Sequence, residues 1–171
     1  AHLLDKSALQ ATFSREEELS CQQEQIELAQ DLPSAADNRL SQIRKELSTL
    51  FEGMMRTLYK VEGAQFRIEI LETPKMRDFI EAHAAALDSS FEKVAMSDTM
   101  RKRLQRSDYI FSGMKTFHEL NEAFPSLLDE NGNRKSFEQF LNDVQSIDST
   151  YNRNYLRAEY NFVQASAQMA A

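Results

Sequence analysis

Residues 40–61 read LSQIRKELSTLFEGMMRTLYKV, and the spacing of their apolar side chains decides the architecture. Leu40, Leu47, Met54 and Val61 recur every seven residues, and Ile43 and Leu50 fill the intermediate positions. That is an a/d seam on one long helix. Phe51 and Leu58 widen the stripe, as packing in a bundle requires and a bare two-stranded coil does not. The seam serves either an internal helix hairpin or self-association into a homo-oligomer, so Leu40, Leu47 and Met54 are candidate interface residues.

Composition agrees with helices. The 171 residues include only 4 Gly and 3 Pro, too few to turn an all-β chain of this length, which needs a turn roughly every 8–12 residues. Eleven Phe and seven Met supply bulk for a core despite the absence of Trp. Lys and Arg number 20 against 27 Asp and Glu, for a net charge of −7. An acidic chain is a poor general coat for nucleic acid. Mean hydropathy is −0.55, and no apolar run approaches the roughly 18 residues of a membrane span, so no membrane partner is expected. The single Cys21 cannot pair internally, and a reducing compartment is its natural setting.

Residues 1–33 are polar and rich in Glu and Gln. Ser14 and Glu17 have capping-box spacing, which predicts a helical appendage with few apolar residues, ended by Leu32-Pro33. Residues 34–171 form the helical domain, with Ser34 as the N-cap of the seam helix and Gly63 as its C-terminal stop. Phe66, Ile68 and Ile70 then alternate with Arg67 and Glu69, the period of an extended segment near 65–71. Thr73-Pro74 starts another helix, and Ser97 a further one. Ser112-Gly113 reads as a break, with Thr116 capping a short helix that Pro125 stops. Asp129-Glu130-Asn131-Gly132-Asn133 is a turn. Ser136 opens the next helix, and a last helix covers about Thr150 to Met169. The expected fold is all-α, an elongated helical bundle containing a long helix hairpin.

Motifs for chemistry are scarce. His2, His83 and His118 have no metal-ligand spacing, and His83 lies on an apolar helix face as a core histidine would. The turn at Asp129 places its glycine fourth, where a calcium loop needs it sixth, and has Phe140 where that loop needs Glu. The isolated glycines form no phosphate loop. No catalysis, metal or cofactor is expected. Arg101, Lys102, Arg103 and Arg106 form a basic cluster, of which Lys102, Arg103 and Arg106 can line one strip of a helix; Lys102 and Arg106 are the candidate phosphate contacts. Tyr151, Arg153, Tyr155 and Arg157 pair residue types common at interface hot spots, although tyrosines also edge cores with the hydroxyl in water.

The segment Ile110-Phe111-Ser112-Gly113-Met114-Lys115-Thr116-Phe117-His118-Glu119-Leu120 resembles the middle of the phage Mu F-like minor head proteins, the phage head morphogenesis family. The acidic turn at Asp129 with Ser136-Phe137-Glu138-Gln139-Phe140, the run Tyr155-Leu156-Arg157-Ala158-Glu159-Tyr160-Asn161 and the close Gln168-Met169-Ala170-Ala171 are similar to that family in the same order. The resemblance implies a structural, non-enzymatic prophage protein of the virion, present in few copies. It would contact portal or capsid proteins and work in the host bacterial cytoplasm during assembly. The family's basic, His-containing block follows the Gln-Met-Ala-Ala helix, so the resemblance also implies truncation before a C-terminal domain. A DNA-contacting protein of the packaged head is the alternative.

Overall fold

A computed structural model describes residues 35–171 apart from Ala64. The expected appendage over residues 1–33 and the Ser34 cap lie outside the described residues. What is described is all-α, with no strand beyond an isolated bridge between Leu128 and Arg134.

The seam helix forms as a single element, α1, Ala35–Tyr59. Leu40, Leu47, Phe51, Met54, Met55 and Leu58 are each at most 1 % exposed within this one chain. The seam is therefore internal, and Leu40, Leu47 and Met54 are core residues rather than interface residues. Arg134 ties down the end of α1. Its guanidinium donates to the carbonyls of Tyr59 and Val61 and lies 4.8 Å from the Tyr59 ring centroid, satisfying acceptors that a helix terminus leaves open. The Tyr59 hydroxyl in turn donates to the Lys135 carbonyl at 2.8 Å.

The segment after α1 is not a strand. Arg67 is extended (φ −106, ψ 161), but Ile68–Glu72 coils into a 3₁₀ turn. Alternation needs a neighbouring strand to pair with, and no such strand exists among the described residues. Phe66 instead stacks edge-on against Phe117 and Phe124, at centroid distances of 5.6 and 5.0 Å.

Helix α2, Pro74–Asp88, begins at Thr73-Pro74. The Thr73 hydroxyl does not cap it; it donates backwards to the Ile70 carbonyl at 2.6 Å. After a 3₁₀ turn at Ser89–Phe91, α3 runs unbroken from Asp98 to Ala123, with Ser97 accepting from the Met100 amide. The breaks expected at Ser112-Gly113 and Thr116 do not occur. Thr116 Oγ1 donates to the Ser112 carbonyl one turn back, at 2.7 Å, which keeps a threonine inside a helix.

Beyond Pro125 the Asp129 turn closes around its own side chain, which accepts from the Asn131 and Asn133 amides at 2.9 Å. Gly132 there has φ +78, a conformation that favours glycine. Two short helices follow, α4 (Phe137–Asp143) and α5 (Gln145–Asp148), then a π-helical turn at Ser149–Asn154. The last helix, α6, is Leu156–Ala170; the π turn occupies the residues where the sequence predicts its first turn. Helix α2 packs against both α1 and α3, and α6 lies against α2 and the Ser89–Phe91 turn. The apolar core sits between α1, α2 and the α4–α5 region.

Candidate functional site

The buried face of α3 is polar. Asp108, Ser112, Lys115, Thr116 and Glu119 are all at most 7 % exposed, and they fall at helical spacing on one side. Helix α2 brings His83 to this face, α6 brings Glu159, and α5 with the π turn brings Asp148 and Asn152. Each of these four is at most 4 % exposed.

Lys115 is the hub. Its ammonium donates to Glu159 Oε1 and Oε2 at 2.7 and 2.8 Å and to the Tyr151 carbonyl at 2.7 Å. Those three acceptors use its three protons. His83 Nε2 lies 3.3 Å from Glu159 Oε1 and 3.5 Å from Lys115 Nζ, and Nδ1 lies 2.6 Å from Ser112 Oγ. With Lys115 saturated, the consistent arrangement puts the ring proton on Nε2, donating to Glu159, while Nδ1 accepts from the Ser112 hydroxyl.

Burial pushes the His83 pKa down, and Lys115 adds to that shift against the pull of Glu159, so His83 is neutral at pH 7. For Glu159 burial alone would raise the pKa, but Lys115 and His83 outweigh it and hold the carboxyl below its ordinary value. Glu119 is the reverse case. Burial, the Glu159 charge and the Asp148 charge raise it to about 8 against the pull of Lys115, and neither of its oxygens has a hydrogen-bond partner. A neutral Glu119 carries a donor, and Asn152 Oδ1 is a buried acceptor without a partner. Asn152 Nδ2 donates to Asp148 Oδ1 at 2.9 Å, and Asp148 Oδ2 accepts from Ser48 of α1 at 2.8 Å. One turn before Ser112, Asp108 meets Asp88 at the end of α2. Burial and the Asp88 carboxyl raise Asp108 to about 9, so the pair shares a proton.

Ser112, His83 and Glu159 have the residue types of a nucleophilic triad, but Ser112 is 0 % exposed, and a reacting carbonyl has no approach to it. The charges are used on one another, which makes the cluster a lock between α2, α3, α6 and the π turn. Among the described residues no group of three or more His, Cys, Asp or Glu is placed to hold a metal ion, and no helix is long and apolar enough to cross a membrane.

The tyrosine–arginine candidates are divided by the fold. The Tyr151 hydroxyl donates to Glu122 Oε1 at 2.6 Å, with His118 Nε2 at 3.1 Å. Burial and that bond raise its pKa. Its ring packs edge-on against Tyr155 at 5.6 Å, and both rings are half-buried. Arg157, with 12 % of its side chain exposed, pairs with Asp37 of α1; its role is to join two helices of this chain. Arg153 alone of the four is exposed. The basic run is divided too. Arg101 turns inward and donates to the Phe91 and Val94 carbonyls at 3.0 and 2.6 Å. Lys102, Arg103 and Arg106 remain exposed.

Apolar periodicity misses Lys115, Glu119, Glu159 and Asp108. Asp108, Ser112, Lys115, Glu119 and Ala123 share one helical face, but from sequence a face of that polarity reads as the solvated side of a helix. Comparison of the chain with protein-family models, curated proteins and solved structures finds no match.

Proposed function

We propose that this chain is a structural component of phage head morphogenesis, working through helical protein–protein contacts with portal or capsid subunits in the virion and in the host cytoplasm during assembly. The observation that supports this reading is where the reactive side chains lie. His83, Lys115, Glu119 and Glu159 are sealed in the interior, while the exposed side chains of α3 include Tyr109 and the basic Lys102, Arg103 and Arg106, which suit macromolecular contact. The residues that resemble the head morphogenesis family, Ile110–Leu120 and Tyr155–Asn161, lie in or beside two of the helices that the lock joins, α3 and α6. The test is mass spectrometry of heads purified from an induced lysogen that carries the gene. Peptides of this chain are expected in intact heads at low copy. Heads that package DNA normally and contain none of it would overturn the reading.

One observation favours the alternative, contact with packaged DNA. Lys102, Arg103 and Arg106 are exposed and take part in no ion pair among the described residues. Binding of a short duplex through them must weaken steeply between roughly 50 and 200 mM salt. Absence of binding at the lower salt removes that alternative.

A further inference from the structure

His118, Glu122 and Tyr151 form a second polar cluster, outside the buried lock. His118 and Glu122 are four residues apart on α3, which places them on one face, and both are exposed. Tyr151 reaches them from the π turn. The lock uses its carbonyl, and its hydroxyl belongs to this cluster.

Three atoms converge here. Tyr151 Oη lies 2.6 Å from Glu122 Oε1 and 3.1 Å from His118 Nε2, and His118 Nε2 lies 2.9 Å from Glu122 Oε1. Each atom therefore meets both of the others. They have at most two polar protons between them, one on Oη and one on Nε2, so three full hydrogen bonds cannot close this triangle. Convergence on one ion can. A point about 2.1 Å from all three atoms, the usual reach of imidazole nitrogen and carboxylate oxygen to a first-row metal, sees them at mutual angles of roughly 75–95°. Such angles suit an octahedral or tetragonal ion and are too narrow for a tetrahedral zinc site. The side chains of His118 and Glu122 are 50 % and 42 % exposed, which leaves the remaining positions to water.

The donors are held in place by the fold. The Tyr151 carbonyl accepts from Lys115 at 2.7 Å, and its ring packs edge-on against both His118 and Tyr155 at 5.6 Å. The Lys115 charge on the inner side of the turn is already matched by Glu159. π-helical turns are rare and recur at functional sites; this one sends the Tyr151 carbonyl inward and the hydroxyl out to α3.

We infer that His118 Nε2, Glu122 Oε1 and Tyr151 Oη are a three-donor site for a first-row divalent transition-metal ion of the nickel(II) or copper(II) kind, with water completing its shell. One imidazole nitrogen with two oxygens suits these ions, whereas magnesium and calcium take oxygen ligands. The ion takes the place of the protons shared within the triangle, which pass to solvent. It clamps α3 to the π turn from outside, as Lys115 does from inside. This inference is independent of the proposed role in head assembly.

The experiment is calorimetric titration of nickel(II) into the full chain at pH 7.5, with circular dichroism to confirm that each variant is folded. H2Q/C21S controls for the other His and Cys ligands of the chain. Wild type and H2Q/C21S are expected to bind one nickel(II) with the same affinity, and H118Q to lose that event. Tyr151→Phe, which keeps the ring, is expected to weaken it roughly tenfold or more. Nickel(II) is also expected to raise the melting temperature of wild type more than that of Y151F, and excess magnesium not to compete. Absence of any binding event that H118Q removes overturns the inference. So does equal affinity in Y151F, which reduces the cluster to an ordinary exposed His–Glu pair on one helix, and so does loss of binding in H2Q/C21S.

Discussion

Replacing Glu119 by Gln tests the electrostatics of the buried cluster directly. Glu119 is 0 % exposed and titrates near 8 in the folded chain, against an ordinary value of 4.5. Between those values the unfolded chain has lost the proton and the folded chain keeps it. Stability therefore falls as pH rises through that window, by about 1.4 kcal/mol per pH unit for this one group. From pH 5.5 to 7.5 the loss is roughly 2–3 kcal/mol, after allowing for partial ionisation of the folded form near the upper end. Gln keeps the shape and a donor and does not titrate. E119Q should then match wild type only below about pH 4, exceed it by roughly 1 kcal/mol at pH 5.5 and by roughly 4 kcal/mol at pH 7.5, so the difference between the two proteins grows between those pH values. Taking the difference between the two proteins cancels the remaining groups. These include His83, whose lowered pKa works the other way, with stability lost as pH falls below 6.5, and Asp108, which adds a slope of the same sign as Glu119. The assay is urea unfolding followed by far-ultraviolet circular dichroism at both pH values, with m-values compared to confirm a common unfolded state. A wild-type-minus-variant difference that does not change between the two pH values would refute the reasoning, since it would mean that Glu119 keeps an ordinary pKa.

Three further outcomes follow from the packing. Lys115→Met strands the Glu159 carboxylate in the interior and should destabilise by about 3–5 kcal/mol, whereas K115M/E159L should recover most of that loss in thermal melts; equal loss in both would deny the pair its coupling. Leu47→Ala should reduce stability by about 3 kcal/mol, and Leu47→Asp should leave the chain unfolded by circular dichroism. A folded Leu47→Asp monomer would return the seam to an intersubunit role. Gly132→Ala forces a side chain into positive φ and should lower stability by about 1 kcal/mol, readable as a small shift in the urea midpoint.

The sequence was legible where burial is apolar. Helix α1 follows from its seven-residue repeat because Leu40, Leu47 and Met54 all enter the core, and the starts at Thr73-Pro74, Ser97 and Ser136 follow from residues that suit a helix N-terminus. Helix α3 was not legible as one element. Its inward face carries Asp108, Ser112, Lys115, Thr116 and Glu119, so a hydrophobic count finds weak pieces where the backbone is continuous, and Ser112-Gly113 in the middle looks like punctuation. The π turn was hidden for a related reason. Tyr151 and Tyr155 sit four apart as in an ordinary helix, while the Tyr151 carbonyl is turned to Lys115 by a partner 36 residues away. Phe66–Ile70 misled in the opposite direction, because a period of two means a strand only where a neighbouring strand exists to pair with it.

The buried lock also bears on how such a chain could serve an assembly. Stability alone does not call for it, since a well-packed apolar cluster of similar volume would be at least as stable as a buried Lys–Glu pair. What the pair adds is position. Apolar contacts are non-directional and tolerate a slide of one helical turn, about 5.4 Å, more readily than a charged hydrogen bond does. The ammonium of Lys115 does not tolerate it, since only one register supplies the Glu159 carboxylate and the Tyr151 carbonyl together. His83 then fixes α2 to the same point through Ser112 and Glu159, and Asp148 carries the constraint to α1 through Ser48. A protein whose work is to present helical faces to other subunits needs those faces held at fixed offsets. The cluster achieves this with contacts that are fully made in one arrangement and leave a charge unpaired in its neighbours.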